Sequence, residues 1–351
     1  MLHKTSGDMY STTFSRRFGT VARMSNASSS PFTQAVVSAV RKLYPEKLAD
    51  SSFDNTGLLL EAPHRKNHLK NSVLLTVDLT KGVADEAIRR KDSVVVAYHP
   101  IIFRSLKSIT LANTQQQSLL RLAQEGISVY CPHTAVDAAP GGLNDWLADV
   151  VTGKANSEGQ SDAAAHTREV ITPVKDAVPG FENAGYGRIV RFQQPQRLGT
   201  LVERITNGLG PLSGICLAVP QDTPSGAKSD LKISSVGICA GSGSMLNGQD
   251  VDLLFTGELS HHEALGAIEQ GKVVVTAFHS NSERKFLSQG MKKDLLVHIA
   301  EALKDQAAGT TLDGAKPVAG EVPSEVADFE VAVSEVDRDP YEIIVAGSSG
   351  W

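Results

Sequence analysis

Two hydrophobic periods take turns along the chain, and together they predict an α/β architecture. After Ser30-Pro31, the residues Phe32, Val36, Val37, Val40 and Leu43 recur at helical spacing. Ser suits an N-cap and Pro suits the first helical position. Short apolar runs then predict strands over 58–60, 72–77, 93–98 and 127–131. Helices are expected between them, over 80–90 and 114–125. Phe53-Asp54-Asn55-Thr56-Gly57 reads as a turn.

A polar, small-residue stretch over 152–164 predicts a linker or surface loop. A second set of elements follows: strands near 188–192, 214–219, 232–239, 252–256 and 273–278, with helices near 198–209 and 260–270. Residues 304–326, rich in Gly, Ala, Pro and Thr, predict another loop, and 341–345 a last strand. Strands alternating with helices favour an α/β fold. The chain's 351 residues exceed what one compact core usually needs, so two lobes are expected. No internal repeat is evident.

Composition narrows the function classes. A net charge of −5 argues against nucleic acid as the main ligand, because phosphate binding needs a basic surface. No apolar run is long enough to cross a bilayer, so no membrane partner is expected. Cys131, Cys216 and Cys239 form no CxxC pair, which argues against a disulfide framework or a thiolate zinc site. Cys131 and Cys239 lie in apolar runs and read as buried thiols in a reducing compartment. Residues 1–30 differ from the rest: Lys4, Arg16, Arg17 and Arg23 face a single acid, Asp8, among many Ser and Thr. That composition suits a mitochondrial transit peptide, the alternative being an extension with no address. The expected location is mitochondrial or cytoplasmic.

The polar residues of interest collect at strand ends. The run 93–98 leads into His99-Pro100, and 127–131 into Pro132-His133, with Asp137 four residues on. The run 273–278 leads into His279 and Glu283, and 252–256 into Gly257-Glu258 and then His261-His262. In open α/β sheets the C-terminal strand edge is where ligands bind. Neutral imidazole with carboxylate suits zinc, manganese, iron or nickel. His279 and Glu283 share one face if a helix starts there. His133 and Asp137 have the same separation, but Pro132 before and Ala139-Pro-Gly-Gly142 after predict a loop. A carboxylate such as Asp137 can bridge a close ion pair, a common hydrolytic device.

A lone histidine at a strand end is usually a hydrogen-bonded structural residue; three of them with two carboxylates point to a divalent metal site. Glu258 reads either as a general base or as an acid satisfying a helix dipole. His261 and His262 are adjacent, so at most one faces the site. Gly241-Ser-Gly-Ser244 follows a strand and is open to an anion-binding reading, but it is no Walker loop. His3, His64, His68, His166 and His298 show no partner pattern and read as surface residues.

Ordered segments extend this picture: Asp54-Asn-Thr-Gly-Leu58, Tyr98-His-Pro-Ile-Ile-Phe103 and Pro132-His-Thr-Ala-Val-Asp-Ala-Ala-Pro-Gly141. Thr256-Gly-Glu-Leu-Ser-His-His262, His279-Ser-Asn-Ser-Glu-Arg284 and Ser334-Glu-Val-Asp-Arg-Asp-Pro340 follow. Over about 32–346, apart from the two loops, the chain resembles the Nif-three-like family, also called the GTP cyclohydrolase I type 2 homologues, in its eukaryotic branch. The resemblance implies a two-lobed fold with mixed sheets flanked by helices and a dinuclear metal centre in the inter-lobe cleft. It also implies a toroidal hexamer built from dimers. By motif position the metal ligands fall on His99, His133, Asp137, His279 and Glu283. Bacterial members carry two histidines before the Pro, and here the first is Tyr98, a phenol with a pKa near about 10 and a poor ligand unless deprotonated. One of two metal positions is thereby weakened, so one or two ions per chain are expected.

Laid on the chain, this gives a first lobe over 31–151 carrying His99, His133 and Asp137, and a linker over 152–166. A second lobe covers 167–271, and a segment over 272–351 returns to the first lobe with His279 and Glu283. The resulting expectation is a metal-dependent hydrolase of a small, nucleotide-like substrate, with Glu258 or His261 moving protons. The alternative is a metal-bound oligomeric scaffold for transcription-related protein partners.

Overall fold

The computed structural model describes residues 28–154, 163–176, 178–308, 328–344 and 347. The expected leader falls almost wholly outside these residues, as do most of the 152–166 and 304–326 loops.

Helix α1 (Pro31–Leu43) starts as its sequence predicts, with the Ser30 hydroxyl accepting from the Thr33 amide at 3.0 Å. The first sheet contains β1 (Gly57–Leu60), β2 (Ser72–Thr76), β3 (Val94–Ala97), β4 (Ser128–Cys131) and β11 (Glu330–Val333), in the order β1-β4-β3-β2-β11. It is mixed: β1 runs antiparallel to β4, and the other pairs are parallel. Crossover helices α2 (Lys81–Arg90) and α3 (Thr114–Glu125) join the parallel strands. The second sheet comprises β5 (His166–Pro173), β6 (Gly185–Arg197), β7 (Cys216–Ala218), β8 (Lys232–Ser242), β9 (Leu253–Glu258) and β10 (Val273–Thr276), ordered β5-β6-β8-β9-β10-β7. Its strands β8, β9 and β10 are parallel neighbours.

The remaining helices are α4 (His133–Ala138), α5 (Leu143–Thr152), α6 (Leu198–Leu209), α7 (His261–Glu269), α8 (Asn281–Phe286) and α9 (Lys292–Ala307). Alternate strand residues serve different layers, as the pleat demands. Leu74, Val95 and Val129 pack with Val83 of α2 and Leu122 of α3 on the outer face of the first sheet. Their neighbours Leu75, Val96 and Tyr130 turn inward, to a core that also holds Ile238, Phe255 and Val275 of the second sheet. Val36, Leu147, Leu201, Phe286 and Ile299, from α1, α5, α6, α8 and α9, fill the space between. On the far side, Leu254 and Val274 pack with Ala267 of α7. The two lobes thus share their largest core.

Several expectations need correction. Residues 341–344 are not a strand; the last strand is β11, which adds to β2 in parallel. The lobe boundary at 271/272 cuts the second sheet, because β10 pairs with β9 and β7. The 133–138 segment is helical, since Pro132 precedes the helix as its N-cap and is no obstacle there. Helices α5 and α9 and strand β5 were absent from the hydrophobic-pattern reading. In β5 no position is fully buried, and the half-buried ones mix His166 and Arg168 with Val170 and Ile171, so the period is hidden.

One buried ion pair ties α5 to β6. Arg188 is 2% exposed, and its guanidinium donates to both Asp145 oxygens at 2.8 and 2.9 Å. Asp145→Ala leaves that charge unpaired and is expected to cost about 3 kcal/mol or more in urea unfolding. Lys81→Ala, which breaks only the exposed Lys81–Asp85 pair, is expected to cost about 0.5 kcal/mol or less. Equal losses at the two positions would remove Arg188 from the account.

Candidate metal centre

The parallel strands of both sheets end at one cleft of about 640 Å³. His99 follows β3, His133 opens α4 just past β4, and His279 follows β10. All three imidazoles line the cleft, with Tyr98, Asp137, Asn144, Gly241 and Glu283. Ring centroids of His99 lie 5.5 Å from His133 and 5.3 Å from His279.

Each imidazole is held through Nδ1 by its own carboxylate. His99 pairs with Asp78 at 2.9 Å, His133 with Asp54 at 2.6 Å and His279 with Glu258 at 2.9 Å. A carboxylate on one ring nitrogen fixes the tautomer and directs the other nitrogen elsewhere. For His99 and His279 that other nitrogen, Nε2, faces Glu283, at 3.4 Å from one carboxylate oxygen each. The candidate ligand atoms of His99, His279 and Glu283 lie within 4.8 Å of one another. Glu283 is 3% exposed, and its Oε2 has no hydrogen-bond partner. A buried carboxylate with one unsatisfied oxygen, facing an imidazole nitrogen at each of its oxygens, fits a divalent cation.

The backbone is bent to make this approach. Phe278, just before His279, has φ +68°, and His133 has φ +30°. Non-glycine residues visit this region at a cost of about 1–2 kcal/mol, and such positions gather at functional sites. Gly241 has φ +60°, and a Cβ there would sit 2.8 Å from both Glu283 Oε1 and His279 Nε2. Gly241 of Gly241-Ser-Gly-Ser244 therefore has a steric reason, close approach to the cluster, and Gly243 has another, close approach to the Thr256 side chain. The Gly241 amide donates to the Ser282 hydroxyl.

Asp137 sits on α4 four residues after His133, half-buried, and accepts from the Tyr98 hydroxyl at 2.7 Å. Burial raises its pKa to about 7; the Tyr98 hydrogen bond and His133 pull it down, and Glu283 pushes it up. Burial and then the Asp137 and Glu283 carboxylates push the Tyr98 phenol well above its ordinary value, so it stays a donor. Burial by itself lowers the His99 pKa, but Glu283 and Asp78 outweigh it and bring the group to about 10. Burial opposes ionisation of Asp54 and Asp78, yet their histidine partners hold both below the usual carboxylate range.

Two supports cross the molecule. The Asn144 side chain donates to the Asp137 carbonyl at 3.1 Å and accepts from the Ala240 amide at 3.0 Å. In the C-terminal motif, Asp337 accepts from the Val77 amide at 2.7 Å and pairs with Arg284, the neighbour of Glu283. Asp339 accepts from the Ser280 hydroxyl at 2.8 Å. These bonds fasten α8 to the first sheet.

Glu258 and His261 separate here. Glu258 touches His279 Nδ1, the place of an orienting group. His261 stacks edge-on with His262 at 5.2 Å and is not in the cleft wall. His68 and His298 are not partnerless, since they pair with Glu125 and Glu301. Asp78 was missed, although it follows the 72–77 run and obeys the same strand-end rule. Asp54 was read only as turn chemistry.

The model of the Duf34/NIF3 (NGG1p interacting factor 3) family matches residues 33–308. The chain belongs to the Duf34/NIF3 family. It is 43% identical to the protein NIF3 homolog of Schizosaccharomyces pombe, across 86% of this chain and 94% of that protein. It is also 43% identical to NGG1-interacting factor 3 of Saccharomyces cerevisiae, across 77% of this chain and 92% of the relative. Among solved structures, a Bacillus cereus protein related to NIF3 superposes with a TM-score of 0.62. That match has 19% identity and covers 89% of this chain and 98% of the other. At that identity it speaks for the fold, and the two mixed sheets flanked by helices are the Duf34/NIF3 architecture.

In chelator-treated protein the His99 imidazolium should persist at about pH 8 and lose its proton near the value given above. This is measured by histidine NMR. The stability this proton confers is full below about pH 6.5, the ordinary imidazole value, and disappears as pH rises through the raised one. Titration of His99 near its ordinary value would contradict its placement between Asp78 and Glu283.

Proposed function

We propose that this chain is a divalent-metal protein and a metal-dependent hydrolase of a small, nucleotide-like substrate. One observation carries the reading: three imidazoles, each locked at Nδ1 by a separate carboxylate, line one cleft around a buried carboxylate oxygen with no partner. His99, His279 and Glu283 would hold the first ion, and His133 and Asp137 would complete a neighbouring position. The donor set is nitrogen and oxygen, which suits zinc, manganese, iron or nickel. Cys239 lines the cleft, but burial and the nearby carboxylates keep it a thiol.

A bound ion of this class acts as a Lewis acid and supplies a nucleophile near neutral pH. The chain's own residues do the rest. Asp54, Asp78 and Glu258 orient the three rings and raise their basicity. Tyr98 presents a proton to Asp137. Asp137, raised to about 7, is the group suited to exchange a proton near neutrality, and Glu258 serves His279. His261 is dropped as a proton carrier. The implied toroidal hexamer, and the mitochondrial or cytoplasmic address, remain part of this proposal.

A second reading rests on the budding-yeast relative, which is named for its interaction with NGG1. Here the chain would be a metal-bound scaffold for a transcription-related protein.

Elemental analysis of purified protein, with ions counted per chain, is the first test. His279→Ala is expected to remove the ion. Glu258→Gln is expected to weaken its retention about 10–100-fold, and His261→Ala to leave it unchanged. Full metal content in His279→Ala would sink the ligand assignment. A screen of nucleotides and phosphoesters for turnover lost on chelation then separates hydrolase from scaffold.

A further inference from the structure

The cleft mouth carries two exposed aromatic rings. Phe53 is 53% exposed and Phe103 is 47% exposed, and both line the same cleft as the three histidines. Single exposed apolar side chains are ordinary. These two come from separate loops, yet meet with centroids 6.4 Å apart and planes tilted by 48°. The contact is held from behind. The Asn55 side chain donates to the Ile102 carbonyl, so each loop is bonded beside its aromatic residue. Each loop is also tied to the histidine cluster: Asp54 holds His133, and Phe103 lies four residues beyond His99.

We infer that Phe53 and Phe103 form a stacking platform for a planar heteroaromatic ring, such as a nucleobase, whose polar end reaches the histidine–carboxylate cluster. This rests on the hydrolase reading above and names the part of the substrate that the mouth recognises. The two rings are already at pairing distance, so an incoming ring lies against the pair and not between its members. Aromatic platforms accept any base face, because every base has a π surface. The cleft volume falls in the range of small-molecule sites. Arg104 and Lys107, on the same loop as Phe103, are exposed and absent from the ion pairs of the described residues.

The test uses metal-loaded full-length protein and two probes, GMP and ribose 5-phosphate, which lacks the ring. Calorimetric titration is expected to show GMP bound about tenfold more tightly. Phe53→Ala with Phe103→Ala should bring that ratio to near one, with ribose 5-phosphate binding and metal content unchanged. Phe53→Tyr with Phe103→Tyr should restore it. Equal binding of the two probes by the native protein overturns the platform, as does an unchanged ratio in the double-alanine variant. The two readings fail separately. A ring preference with no nucleotide turnover supports the platform and sinks the hydrolase. Turnover with no ring preference does the reverse.

Discussion

Glu283 is a carboxylate buried with an imidazole nitrogen facing each of its oxygens, and several features of the surrounding structure keep it there. Burying an unpaired carboxylate costs several kcal/mol. The His99 and His279 nitrogens stand at 3.4 Å, too far for strong hydrogen bonds. Compensation by the protein is therefore incomplete. The chain nevertheless fixes the geometry at further expense. It places Phe278 and His133 at positive φ, keeps Gly241 free of a Cβ and anchors Arg284 to Asp337. A cleft that concentrates negative charge and lone pairs in this way is built for a cation.

The shared core explains how such a geometry survives between two sheets. His99 and His133 belong to the first sheet, His279 to the second, and Glu283 to a helix between them. If the lobes packed independently, small hinge motions would pull these groups apart. Instead Phe286, next to the cluster on α8, packs into the core that both sheets use. Asn144 and the Asp337–Asp339 segment then add hydrogen bonds across the same gap. Rigid elements on both sides hold ligand atoms more tightly than loops do.

Strand ends were legible because parallel strands are buried on both faces and read as unbroken apolar runs. That rule reached His99, His133, His279 and Glu283, which the cleft brings together, and it applied equally to Asp78. It failed where the signal was local and polar. Asp54 looked like a turn residue because it is one, and its second carboxylate oxygen holds Thr134 as well. The Asp337 and Asp339 supports act across some 260 and 59 positions of chain, a pairing no local pattern encodes. His261 was misplaced because it sits at a helix start, one turn beyond the strand edge, where the ring swings toward His262.

The residues of the cleft are not equivalent, and Tyr98 is the reason. Its phenol is buried and keeps its proton, so it cannot serve as an anionic ligand. It also donates to Asp137, which occupies one of that carboxylate's oxygens. A phenol at position 98 thus offers no anionic donor and engages a neighbouring one. Burial raises the Asp137 pKa to about 7, which places the group to trade protons near neutrality. On the other side, Glu283 has a free oxygen, Oε2, which faces His99 Nε2, while His279 Nε2 faces its Oε1. In the proposed site, His99, His279 and Glu283 would therefore form the stronger position, and His133 and Asp137 the weaker one. In that weaker half, the Tyr98–Asp137 hydrogen bond would favour proton exchange over metal binding.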